Sequence, residues 1–133
     1  MTSFTLRSAR DSGQLLIEPA PRGDESFCFS ASLAGPRLSA SVEVYEDSPH
    51  GLVEYFAGLS ALWWKGWEGE RTFASLEGHL ELVASRDALG RVHIRVSLCD
   101  NLHDPCWSAA GTLEVEAGQL PNLAEQIRLT FAQ

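Results

Sequence analysis

The sequence predicts an α+β domain: an antiparallel β-sheet with two α-helices packed on one face, in the order strands, helix, strands, helix. Two periods carry this prediction. Apolar and polar residues alternate through most of the chain, as in half-buried strands, and the spacing changes to that of an amphipathic helix near residues 49–64 and 122–131. The strand-like segments also come in groups, without the one-to-one alternation with helices that a parallel sheet requires.

Taken in order, Phe4, Leu6 and Ser8 alternate with Thr5 and Arg7, and the run Leu15-Leu16-Ile17 ends at Pro19. Prolines, a glycine and charges make residues 19–25 a loop. Phe27, Phe29, Ala31 and Leu33 then alternate with small polar neighbours, and after Gly35-Pro36 so do Leu38, Ala40, Val42 and Val44. Period-two patterning on both sides of a Gly-Pro turn predicts a hairpin over residues 26–46. Asp47-Ser48-Pro49 offers a helix cap and a proline for the first turn. Leu52, Phe56, Leu59 and Trp63 follow as the buried stripe, which places Trp63 in the core, and Gly66 and Gly69 end the helix near Trp64.

The second half begins with a hairpin over residues 79–99. Its even-numbered apolar residues share one face if Leu82 faces Val96, Ala84 faces Ile94 and His79 faces Cys99 on the outer side. A loop Ala88-Leu89-Gly90 closed by Asp87 and Arg91 gives this register, with Gly90 at positive φ. A last strand turns Trp107, Ala109, Gly111, Leu113 and Val115 inward. Beyond Gly118, Asn122 and Glu125 resemble a capping box, and Leu123, Ile127 and Phe131 form the second helical stripe.

With 133 residues, 44% of them hydrophobic and 21% charged, residues 1–133 read as a single domain able to bury a core without disulfides or metal. No run of ~18–20 apolar residues exists to cross a membrane, and the start Met1-Thr2-Ser3-Phe4-Thr5 lacks a secretory pattern. Three cysteines at irregular spacing, Cys28, Cys99 and Cys106, make a poor disulfide framework, so the expected location is cytoplasmic. Free thiols are expected, with a Cys99–Cys106 bridge across the loop between them as the alternative. Eighteen acids against ten bases, nine of them arginine, give a net charge of −8. That field repels phosphate backbones and excludes a nucleic-acid partner, while it attracts a basic protein. A homodimer is compatible with all of this.

Candidate chemistry is sparse. Cys99, His103 and Cys106 share one short loop, and the hairpin register adds His79, a set of sulfur and nitrogen ligands of the kind zinc takes. The spacing Cys-x₃-His-x₂-Cys matches no common zinc pattern, so no metal or other cofactor is expected. His79-Leu80-Glu81 with Pro105-Cys106 is similar to the zinc deaminase signature, but Ala109 stands where its second cysteine belongs. Gly58-Leu59-Ser60-Ala61-Leu62 breaks the nucleophile elbow at its last position. His79, His93, Glu81 and Arg95 are what an enzyme would have to use on the open sheet face.

What stands out is aromatic. Trp63, Trp64 and Trp67 lie within five residues, followed by Arg71. Trp64, Trp67, Arg71 and Trp107 are therefore the candidate ligand or partner surface, because tryptophan and arginine dominate interaction hot spots. The competing expectation is architectural: Trp67, Arg71 and Glu77 brace the turn leaving the first helix.

The segment Trp64-Lys65-Gly66-Trp67-Glu68-Gly69-Glu70-Arg71-Thr72-Phe73-Ala74-Ser75-Leu76-Glu77-Gly78 resembles the central motif of a bacterial family, the domain of unknown function 6228 family. Leu80-Glu81-Leu82, Gly90-Arg91-Val92-His93-Ile94-Arg95 and Leu113-Glu114-Val115-Glu116-Ala117-Gly118 fit the same pattern, so the resemblance covers roughly residues 40 to 131. Phe73 stands where that family is expected to have tryptophan. The resemblance implies no activity, cofactor or catalytic residue.

The reading is of a non-catalytic acidic protein-binding module, immunity-like or regulatory. The alternatives are a small-ligand domain with a pocket between sheet and helices, and an enzyme of unassigned class.

Overall fold

In the computed structural model, which describes residues 3–20, 27–46 and 50–132, eight strands and two helices are found among the described residues. β1 (Phe4–Arg7), β2 (Gln14–Pro19), β3 (Phe27–Gly35) and β4 (Leu38–Glu46) form one antiparallel sheet, each strand beside the next in sequence. Helix α1 (His50–Ala61) leads to β5 (Arg71–Ala74), β6 (Leu80–Arg86), β7 (Arg91–Asp100) and β8 (Trp107–Glu116), which form a second sheet in the same meandering way. A short 3₁₀ turn, Ala117–Gln119, enters helix α2 (Leu120–Thr130). The class is α+β and the order strands, helix, strands, helix is kept.

The single sheet expected from the pattern is in fact two. β3 and β4 lie over β7, and β1 lies beside β8. A Cβ at Gly111 of β8 would sit 3.6 Å from Leu33 of β3, and one at Gly13 would sit 3.0 Å from Leu113 of β8. Small residues thus let the two inner faces approach. The helices lie together on that inner side, where Phe56 of α1 meets Phe4 at 5.2 Å, Tyr55 meets Phe73 at 6.0 Å, and Phe131 after α2 meets Phe29 at 5.6 Å. Both sheets and both helices contribute to one buried cluster.

Registers follow the alternation. Leu82 pairs with Val96 and Ala84 with Ile94, and Leu80, Leu82, Ala84, Val92, Ile94, Val96 and Leu98 are all buried. The Cys99 N–H donates to the His79 carbonyl at 3.0 Å. Gly90 takes φ +85°, as the loop closing this hairpin requires. The first hairpin turns at Pro36-Arg37 between Gly35 and Leu38.

Several local expectations are corrected. Residues 71–74 form β5, a strand the sequence reading leaves unassigned within the motif. α1 stops at Ala61 and the chain turns through residues 62–65, so helical spacing no longer applies at Trp63, which is 41% exposed instead of buried. Gly66, at φ +77°, closes that turn by donating its N–H to the Leu62 carbonyl. Asn122 and Glu125 do not cap α2. The helix begins earlier, at Leu120 with Pro121 in its first turn, and Glu125 pairs with Arg128. The expected cap at Asp47-Ser48-Pro49 and most of the 19–25 loop lie outside the described residues.

Candidate functional site

Where β6 turns into β7, the tryptophan-rich segment closes over the end of the second sheet. Trp67 is half-buried against the core and donates its indole Nε1–H to the Ala84 carbonyl at 3.3 Å. Arg86, at the end of β6, lies over the Trp67 ring with its guanidinium carbon 5.7 Å from the ring centre. The same guanidinium donates to the Trp63 carbonyl at 3.0 Å and the Gly90 carbonyl at 3.4 Å. One arginine thus ties the turn after α1 to the β6–β7 loop.

Asp87 organises that loop. Its Oδ1 accepts the Leu89 and Arg91 N–H groups at 2.9 and 3.0 Å, and its Oδ2 is 2.9 Å from His93 Nε2. The His93 hydrogen bond, with the two backbone donors, holds the Asp87 carboxyl below the usual carboxylate range. Around this frame Trp63, Trp64 and Leu89 remain 41%, 70% and 77% exposed. A shallow groove of about 370 Å³ also opens here, bordered by Lys65, Trp67, Glu68, Arg86 and Asp87. Two cations and two carboxylates on its border favour no single ligand charge.

The other candidate residues are elsewhere. Arg71 is exposed at the start of β5; its carbonyl accepts the Tyr55 hydroxyl at 2.9 Å, and burial pushes that hydroxyl's pKa up. Among the described residues the Arg71 guanidinium forms no ion pair, so the brace expected from Trp67, Arg71 and Glu77 is made by Trp67 and Arg86. Trp107 pairs with Asp100 at the opposite end of β7, about 30 Å from the β6–β7 turn at ~3.3 Å per residue.

A family model, that of the family of unknown function DUF6228, matches residues 5–133. The chain belongs to the DUF6228 family. The match extends well before residue 40, into the first sheet. No curated protein matches the chain. On the DUF6228 motif the structure places turn-forming residues above all: Gly66, Gly69 and Gly78 take φ between +77° and +79°, and the Leu76 N–H donates to Glu46 at the end of β4.

The candidate metal ligands do not converge. His79, expected on the outer face, is only 2% exposed, because Tyr45 of β4 covers it with ring centres 6.4 Å apart. Its Nε2 is 3.2 Å from Asn101 Oδ1, and its Nδ1 is buried with no partner among the described residues. His103 bonds Asp100 through Nδ1 at 2.9 Å. Cys99 and Cys106 are free thiols, so the Cys99–Cys106 bridge is not formed. Among the described residues no three His, Cys, Asp or Glu side chains gather as a metal cluster would. Of the catalytic candidates, Glu81 and Arg95 are exposed on the outer face of the second sheet, and His93, on the same face, is engaged with Asp87. No helix is long and apolar enough to cross a membrane among the described residues.

Proposed function

We propose that this protein is a non-catalytic binding module of the cytoplasm that captures a basic protein through the aromatic end formed by Trp63, Trp64 and Leu89 over the Trp67–Arg86 frame. The observation that carries this reading is the exposure of Trp64, 70%, beside a rigidly tied scaffold. Large apolar side chains held in place on a surface lose little freedom on binding and make effective anchors. The net charge of −8 supports a basic partner by steering its approach.

The small-ligand reading places its pocket between sheet and helices. A cleft of about 230 Å³ lies between β1 and α2, bordered by Thr5, Arg7, Val115, Asn122, Leu123 and Gln126. It is smaller than the ~300–1,000 Å³ of usual ligand sites and holds none of the tryptophans.

The test is affinity capture from the native host with the parent and with Trp64→Ser, at low and moderate salt. The expected result is a basic protein retained by the parent, weakened by salt, and lost by a variant that melts like the parent. Equal capture by both proteins, or an acidic partner, overturns the proposal.

A further inference from the structure

The β8 edge of the second sheet leaves a defined set of backbone groups unpaired, which follows from hydrogen-bond direction. β7 and β8 pair without a bulge from Arg91 opposite Glu116 to Asp100 opposite Trp107. Cys99 donates to His79, so the odd-numbered residues of β7 face β6 and the even-numbered ones face β8. In β8, therefore, Ala109, Gly111, Leu113 and Val115 bond to β7, while Ser108, Ala110, Thr112, Glu114 and Glu116 direct both N–H and C=O away from the sheet.

Two of these five are already occupied. The Glu114 carbonyl accepts the Ala9 N–H at 2.7 Å and its N–H donates to Ser8 Oγ at 3.1 Å, while the Glu116 N–H donates to Gln119 Oε1 at 2.9 Å. Ser108, Ala110 and Thr112 are exposed and their outward backbone groups have no partner among the described residues. This stretch carries none of the devices that protect sheet edges: no lysine, no proline, no bulge, no inward charge.

We infer that this edge pairs with the same edge of a second copy, antiparallel about a two-fold axis through Ala110. That register sets Ser108 opposite Thr112 of the second copy and Ala110 opposite its own equivalent. It is the register in which every free group of one edge meets a free group of the other. Shifting the axis to position 111 would bring Ser108 against Glu114, which Ser8 and Ala9 already cover. The facing side chains are small and uncharged, and the acids Glu114 and Glu116 lie beyond the paired stretch. Two-fold closure explains why a strand with no gatekeeper need not polymerise: the pairing is isologous and saturates at two. With only three residues of each edge engaged, association is weak and concentration-dependent. The charge of −8 on each copy opposes it, so salt strengthens it, the reverse of the salt effect on a basic partner.

Sedimentation velocity over a range of protein and salt concentrations tests this, together with amide hydrogen exchange. The parent should equilibrate between monomer and dimer, with more dimer at higher salt. The amides of Ser108, Ala110 and Thr112 should become protected as concentration rises, while Ala109 and Gly111 stay protected throughout. Ala110→Lys and Ala110→Glu each put like charges face to face at the axis and should be monomeric with parental melting. Their equimolar mixture should recover the dimer. A parent that stays monomeric throughout, concentration-independent exchange at the three amides, or variants that dimerise like the parent would each overturn the inference.

Discussion

Ser75 and Leu80 clasp each other across the turn between β5 and β6. The Ser75 N–H donates to the Leu80 carbonyl at 2.9 Å, and the Leu80 N–H returns to Ser75 Oγ at 3.0 Å. Ser75 is 6% exposed, so its hydroxyl stands in for the backbone acceptor that β5, ending at Ala74, no longer supplies. Ser75→Ala leaves the Leu80 N–H buried without an acceptor, and a loss of ~1–3 kcal/mol in stability is expected by denaturant titration. Unchanged stability would remove this serine from the architecture of the family motif.

Trp67 and Trp64 should respond oppositely to truncation. Trp67 packs on the core, donates to Ala84 and carries Arg86, so Trp67→Ala should cost ~3 kcal/mol. Trp64 is mostly in solvent, and Trp64→Ala should stay within ~0.5 kcal/mol of the parent. Thermal melts of the two variants side by side decide the point, since comparable losses would mean that the exposed ring is structural after all.

Gly66→Ala should disturb Arg86 by crowding its guanidinium directly. The residue sits at φ +77°, and a Cβ there would stand 3.0 Å from the guanidinium Nη1. The backbone strain costs ~1–2 kcal/mol, and the displaced arginine loosens the Trp63 carbonyl it holds. The expected readout is a lower melting temperature with a shifted tryptophan fluorescence maximum; a variant that melts like the parent would argue against this.

Acid should weaken the β6–β7 loop through Asp87 and the β7–β8 loop through Asp100. The hydrogen bonds from His93 and His103, with backbone donors, hold both carboxyls below their ordinary value near ~4. A carboxyl depressed in the folded state contributes stability that is fully present above its unfolded value and is lost as pH falls through the folded one. Stability of the parent should therefore drop below pH ~4, and Asp87→Asn, which keeps an acceptor for Leu89 and Arg91 but not the charge, should show a shallower drop. An identical acid limb in parent and variant would contradict the assignment.

Chelation should leave the protein unchanged. His79 Nε2 is engaged with Asn101 and His103 Nδ1 with Asp100, so the two imidazoles are committed to different partners. Melting curves with and without a chelator should superimpose. About one zinc per chain, lost together with stability, would show that the loop rearranges around a metal.

The second hairpin was legible from residues alone, because one apolar face fixes the parity of the register and the loop closed by Asp87 and Arg91 selects the one that pairs Leu82 with Val96 and Ala84 with Ile94. The division into two sheets was not, since alternation reports which face of a strand is buried but not what covers it. Trp63 misled because helical spacing was carried past Ala61 into a turn. Arg86 was missed as the partner of Trp67 because β5 was unassigned; once Arg71 is set opposite Ala84, the chain before it must run back beside the end of β6. The burial of His79 under Tyr45 joins the two sheets, a contact between halves of the chain that no local pattern encodes.

The meandering order of each sheet has a kinetic consequence. Every strand pairing is between neighbours in sequence, so each half of the chain can zip from short turns, with little loop entropy lost before contacts form. The bonds from Ser8 and Ala9 to Glu114 are different, since they close a loop that spans most of the chain. Such a clasp is expected to form late in folding, after the rate-limiting barrier. Weakening it should accelerate unfolding while leaving the refolding rate nearly untouched, so this small contact would set how long the native state lasts more than how fast it is reached.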